Sequence, residues 1–491
     1  MKKYVNIVMF SALLLLLNSC KDYLNINTDP NSPSEENLTS SMILPAAEMS
    51  IAATYSYSLH ILGAYNVEYY AQQTGTPNYL EYSKFNVSPT NGNRAYTELF
   101  QHALNNSENV RKKAKEDAEY GVFLQATVLR SYAFHLLVDA FGEVPFTEAL
   151  DGVSTSPKFD DGKFIYESLI AELDEAIALS ANGGSLATSF ILPNGTIADW
   201  QQFAKAEKLR LLSRINNVED KSAQLQALIA ENDFPASDIQ IAGCWANSSG
   251  HANPFFAEEA SSWAIVGGNV IANLALVETM NQDTYSDPRL AAWFKTNGSG
   301  AYRGSLSGAN SIETTASWSS PNIAYNTPVV LCAKSEVEFF IAEFYARKGD
   351  AANAQLHYEA AINASFESAG VAGAEANIAQ YSYDQSNWKQ SIGLAKWIAL
   401  AGVNGFESYT EVRRLDYPAF GTVKGSDMLS AGGTFDPSAY VPGTLYTPYQ
   451  RFDQVGDNKL LERFPYPEAS TSRNTNSPTF PGYLEPIFWG K

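Results

Sequence analysis

The chain has 491 residues, 45% hydrophobic and 18% charged, with 53 acidic against 33 basic side chains and a net charge of −20. That apolar and aromatic content excludes a disordered chain, and a body of this length buries a large core. Without Lys2 and Lys3 the charge becomes −22, which excludes nucleic acid and anionic lipid as electrostatic partners, since both demand a basic face.

Met1-Lys2-Lys3 is followed by an apolar run from Val5 to Leu17 and then Asn18-Ser19-Cys20. The run is well short of the ~20 residues of a membrane span, so residues 1–19 read as a secretory signal. A small residue before Cys resembles the bacterial lipobox, in which the Cys is diacylated and becomes the mature N-terminus. Cys20 is therefore the expected lipidation site, anchoring the protein to the outer membrane, and Lys21-Asp22 resembles a surface-export signal. Residues 20–40 read as the lipidated end and a polar, Pro-punctuated tether, at most ~70 Å long when extended. Asn27, Asp29 and Asn31 have the opening spacing of a calcium loop, but Ser32 and Leu38 stand where Gly and Glu are needed.

Residues 41–491 read as one helical domain. Val122, Ala126, Leu129, Ala133, Leu136 and Ala140 mark a helical face. Ile165, Leu169, Leu173 and Ile177 mark a second, and Phe203, Ala206, Leu209 and Leu212 a third. A fourth helix starts near Trp388, with Asn387 and Gln390 spaced as a capping box. Between Val337 and Phe366, the spacing of Ala342, Tyr345, Gly349, Ala354, Tyr358 and Ala361 is that of a tetratricopeptide hairpin. One such hairpin leaves its apolar face open, so the other helices are expected to stack on it. The fold class is mainly α, a tetratricopeptide-like helical-hairpin scaffold with long loop-rich insertions and few short strands. The insertions are residues 241–330, polar yet rich in Trp and Tyr, and the Pro-rich residues 417–491.

Chemistry-bearing motifs are sparse. His60, His102, His135, His251 and His357 form no metal-ligand spacing, and neither a nucleophile elbow nor a phosphate loop occurs, so neither metal nor cofactor is expected. His135 lies within a helix and reads as structural. Paired carboxylates at hydrolase separation remain conceivable among 53 acids, although Glu258-Glu259 and Glu35-Glu36 are marked only by adjacency. Cys244 and Cys332 are too few for a disulfide framework, and their pairing stays open.

The stretch from Val122 to Leu150 resembles the hallmark helix and turn of the SusD/RagB family through Arg130, Tyr132, Asp139, Phe141, Gly142, Val144, Pro145 and Phe146. Lys396-Trp397-Ile398-Ala399-Leu400, Asn404-Gly405, Arg413-Arg414 and Tyr417-Pro418 resemble a second family stretch. Arg463-Phe464-Pro465-Tyr466-Pro467 resembles its closing motif, with Ser470 where Glu is usual. The resemblance implies a non-catalytic surface lipoprotein that sits as a lid on a SusC-like TonB-dependent transporter and captures an oligosaccharide, or in some relatives a peptide, for import.

Aromatic side chains among polar loops suit that role, because a sugar ring stacks its apolar face on an aromatic ring while its hydroxyls seek Asn, Gln, Arg or Asp. Tyr65, Tyr69 and Tyr79 crowd one stretch, beside Tyr70, and Trp263, Tyr302 and Trp318 lie in the polar insertion. These six, Tyr65, Tyr69, Tyr79, Trp263, Tyr302 and Trp318, are the expected ligand-binding residues. The rival reading is a surface-anchored helical glycoside hydrolase acting on polysaccharide.

Overall fold

The computed structural model describes residues 39–264, 268–309, 312–430 and 433–490. The signal segment, Cys20 and nearly all of the tether lie outside the described residues. Among the described residues about half the structure is helical, and the short strands pair only in twos.

The helix Tyr120–Phe141 sits at the centre. Its sequence is long and apolar enough to cross a bilayer, yet it is enclosed by protein. The expected single apolar face is corrected here: the helix is buried all round, because Ser40–Ala53, Asn105–Glu116, Gly162–Ser180 and Ile197–Ile215 surround it. Its polar residues are therefore buried with partners, as burial requires. Gln125 exchanges two hydrogen bonds with the Ala187 backbone, and Arg130 reaches Glu172 at 2.9 Å. His135 meets Glu207 at 2.6 Å, a structural role as expected. Asp139 accepts from Arg214 at 2.5 Å and from the Trp489 indole at 2.8 Å.

The hairpin comprises Lys334–Arg347 and Ala351–Ala369. Ala342, Ala354, Tyr358 and Ala361 are fully buried where the helices cross, joined by Phe339, Ile362 and Ile392. Gly349 makes the turn at φ +75°, open to glycine without steric cost, and Asp350 caps the second helix through the Asn353 N–H at 3.2 Å. Trp388–Leu400 and Gly405–Leu415 pack beside it. The capping box expected at Asn387 is absent: its side chain donates to Asp384 at 2.7 Å and leaves the helix end uncapped by a side chain.

A buried ionic network ties the two halves of the helical body together. Arg414 forks onto Glu343 at 2.6 and 2.5 Å and touches Glu411, which also takes Lys396 at 2.7 Å. Arg210 forks onto Glu336 and reaches Glu207, while Arg214 bridges Asp139 and Glu407. Lys396, Arg413, Arg414 and Asp139, which carried the family resemblance, thus lie in the interior. Asp287 and Arg289 clamp the 241–330 insertion onto the hairpin through Ser365 and onto the following helix Ala374–Gln380 through Asn377. Cys244 and Cys332 are unpaired with one another.

Candidate functional site

Short ribbons position the site. Tyr70–Gln72 pairs antiparallel with Val270–Ala272, Val329–Cys332 with Ile239–Ile241, and Phe294–Lys295 with Ser320–Pro321. They converge on the N-terminus of Gly405–Leu415, where Asn404 caps the helix by accepting from the Phe406 and Glu407 N–H groups. Between them lies a cleft of about 240 Å³.

His60 and Tyr70 lie in its floor. His60 Nδ1 accepts from the Gly405 N–H at 2.9 Å, and Nε2 lies 3.2 Å from the Tyr70 hydroxyl. Nε2 therefore carries the proton and donates to Tyr70, whose own hydrogen is directed elsewhere. Burial pulls the His60 pKa down to about 4, so the ring is neutral near pH 7. Burial, reinforced by Glu259, holds the Tyr70 phenol well above its ordinary value, which keeps it a hydrogen-bond donor.

The walls are equally well held. Trp293 lies flush on Gly402, where a Cβ would come within 2.1 Å of the indole, and the Arg289 guanidinium lies 5.6 Å from its centroid, yet unlike a core ring it stays only half-buried. Opposite, Asn253 bonds the Tyr325 carbonyl through its N–H and the Thr327 carbonyl through its side chain, both at 2.8 Å. Gln240, Asn322, Ser56 and Thr327 add amides and hydroxyls, and among the described residues no Asp, Glu, Lys or Arg lines the cleft. Such a lining presents an aromatic face and neutral polar groups. It offers neither the carboxylate pair of a glycosidase nor a metal-ligand set, and the described residues hold no cluster of three metal-ligating side chains.

Half-buried rings continue outward from the cleft. On the helix Pro254–Glu259, Phe256 lies 6.1 Å from Trp263 and 6.5 Å from Tyr325, centroid to centroid. Beside them, in a π-helical turn over Thr54–Ser58, Tyr57 bonds Tyr79, which donates to Glu259 at 2.5 Å and stacks on Tyr82. Arg94 covers the Tyr57 ring and pairs with Glu258 at 2.9 Å.

The six expected ligand residues divide. Tyr65 and Tyr69 are 0% and 1% exposed. Tyr69 donates to the Trp397 carbonyl, meets the Ser408 hydroxyl at 2.6 Å and packs on the Trp397 ring, and Tyr65 packs among Tyr70, Tyr79 and Tyr82. Trp318 is only 3% exposed, enclosed with Phe435 and the Arg303 guanidinium 4.7 Å from its centroid, so its ring does not reach the surface as that of Trp293 does. These three are corrected to core residues, because a covered ring has no face for a sugar. Tyr79, Trp263 and Tyr302 stay half-buried; Tyr79 and Trp263 join the outer rings, and Tyr302 sits in the separate loop that Asn297 closes onto Ala301. Sequence reasoning passed over Trp293, His60 and Tyr70 as site residues. Trp293 sits in an apolar-looking Leu-Ala-Ala-Trp-Phe run, and the only hint was the Asn- and Thr-rich segment 321–328 that comes to face it.

Residues 30–432 match the family model described as SusD-like, starch-binding and associating with the outer membrane. The fold is similar to that of a SusD homologue from Bacteroides uniformis, at 19% identity and TM-score 0.74, covering 92% of this chain and 99% of that one. It is likewise similar to a structure named as a chitin-binding protein (20%, TM-score 0.73, 92% and 100% covered). A third match is a chitin-binding SusD homologue from Flavobacterium johnsoniae (19%, TM-score 0.68, 91% and 98% covered). No curated protein sequence matches the chain.

Proposed function

This chain belongs to the SusD-like family, and we propose that it is a non-catalytic, cell-surface binding protein that captures a neutral oligosaccharide for import. The observation that carries the reading is the lining of the cleft: the Trp293 ring among amides and hydroxyls, with no charged side chain. A sugar stacked on Trp293 buries ~50 Å² per ring, contributing roughly 1.2 kcal/mol at ~25 cal/mol/Å². Two or three such rings, less the cost of ordering the ligand, give affinities of roughly micromolar to millimolar order. Weak binding suits a protein that must hand its cargo on.

The names of the two chitin-binding relatives support a glycan over a peptide, whose charged termini would find no partner in this lining. Cys20 is the residue proposed to carry the lipid anchor, and a SusC-like TonB-dependent transporter is the proposed partner. Tyr79, Trp263 and Tyr302 remain proposed ligand contacts outside the cleft. Calorimetric titration of the full chain with neutral oligosaccharides, followed by mass spectrometry of the recovered ligand, tests the reading. Saturable binding with intact chains is expected; shortened chains would favour the hydrolase instead. Affinity capture from native outer membranes should co-purify a large barrel protein, and capture without one would remove the transporter from the account.

A further inference from the structure

We infer that the cleft receives the uncharged end unit of an oligosaccharide, a closed socket for a chain terminus and not a groove that a chain runs through. The inference rests on the glycan-binding reading and adds which part of the glycan enters.

Size is the first argument. At about 240 Å³ the cleft is smaller than the ~300–1,000 Å³ of pockets that enclose a whole drug-sized ligand, leaving room for about one sugar unit. The second argument is the floor. The His60–Gly405 and Asn404–Tyr55 hydrogen bonds, at 2.9 and 2.6 Å, close it with side chains that are themselves buried. A polymer threaded past this point would have to break the cap of the Gly405–Leu415 helix.

The third argument is electrostatic. A carboxylate or sulfate on the entering unit would leave water for a wall without a Lys or Arg, inside a protein of net negative charge. Burying an unpaired anion is strongly unfavourable, so the socket rejects acidic termini. A neutral terminus meets two features instead: the part of the Trp293 ring left open between Gly402 and the Arg289 guanidinium 5.6 Å from its centroid, and the Tyr70 hydroxyl, whose hydrogen His60 leaves unclaimed. The following units leave past Tyr325 and Phe256 toward Trp263, whose spacing of 6.5 and 6.1 Å forms a ridge beyond the rim.

The test titrates the full chain with neutral hexasaccharides of α-1,4-glucose, β-1,4-glucose and β-1,4-N-acetylglucosamine. The one that binds is then titrated again in two forms, one with its non-reducing end unit oxidised to a uronate, the other with a bulky amine coupled to its reducing end. One modified form is expected to lose at least about tenfold in affinity and the other to stay within about twofold. If both bind as tightly as the parent, the socket is overturned while glycan capture stands; if no hexasaccharide binds, the capture of these glycans falls with it. Trp293→Ala should weaken chains of every length, whereas Trp263→Ala should weaken the hexasaccharide and spare the disaccharide. Tyr70→Phe, which removes a single oxygen, should lower affinity several-fold with an unchanged circular-dichroism spectrum, and equal affinity would remove the floor from the account.

Discussion

Two tryptophans separate binding from stability. Trp293 is half-buried at the cleft wall and Trp318 is 3% exposed, under Arg303 and edge-on to Phe435. Trp293→Ala is expected to cut oligosaccharide affinity about tenfold, the cost of one lost stacking surface, and to lower the melting temperature less than Trp318→Ala does. Trp318→Ala should lower unfolding free energy by about 3–5 kcal/mol, as truncating a core aromatic does, read by urea titration. His60 supplies a second check. Its pKa of about 4 keeps it neutral, so ligand affinity should be flat from pH 8 to 5.5 and fall only as pH drops through 4, when protonation removes the acceptor of the Gly405 N–H. At this scale the sequence was least informative. A Tyr satisfies a core and a binding surface equally well, and Trp318 is covered by Phe435, more than a hundred residues away, a contact that no local pattern announces.

Among the elements, the hairpin was the most legible, because small residues at fixed spacing and a glycine turn are required wherever two helices cross closely. Ala354→Leu should therefore overpack the crossing and cost about 1–3 kcal/mol in urea titration, with ligand affinity unchanged. The central helix was legible as a helix but not as an enclosed one. Its partners, Glu172, Glu207, Arg214 and Trp489, lie between 42 and 350 residues away along the chain. The buried network follows the same logic. Arg414→Met would strand Glu343 and Glu411 without their fork and should destabilise by about 3–5 kcal/mol. The cleft itself was illegible, since it is assembled from three ribbons and a helix cap drawn from residues 55 to 404.

For the whole molecule, buried carboxyls of opposite sign of shift set the pH response. Burial raises Glu48 and Glu462 to about 7 and pushes Glu407 upward as well, so the folded state holds protons that the unfolded chain releases above about 4.5. Their stabilisation is lost as pH rises from about 5 to 8. Burial also pushes Glu207 and Glu343 upward, but the neighbouring His135 and Arg210 for one and Arg414 for the other outweigh it and hold both at about 2. Stability therefore falls again below about 4.5, where the unfolded chain takes up protons that the folded state refuses, and His60 acts in the same direction below 6.5. The melting temperature should peak near pH 5 and decline on both sides. A peak above pH 7 would contradict the assigned shifts.

The account turns on a neutral cleft that holds a sugar without altering it. Its most direct test is calorimetry of the full chain and of Trp293→Ala against neutral oligosaccharides, with the ligand recovered afterwards and weighed by mass spectrometry. Saturable binding by the parent, loss of about tenfold in the variant and a ligand of unchanged mass are the predicted results. Equal affinity in the two proteins, or a ligand returned in shorter pieces, would contradict it.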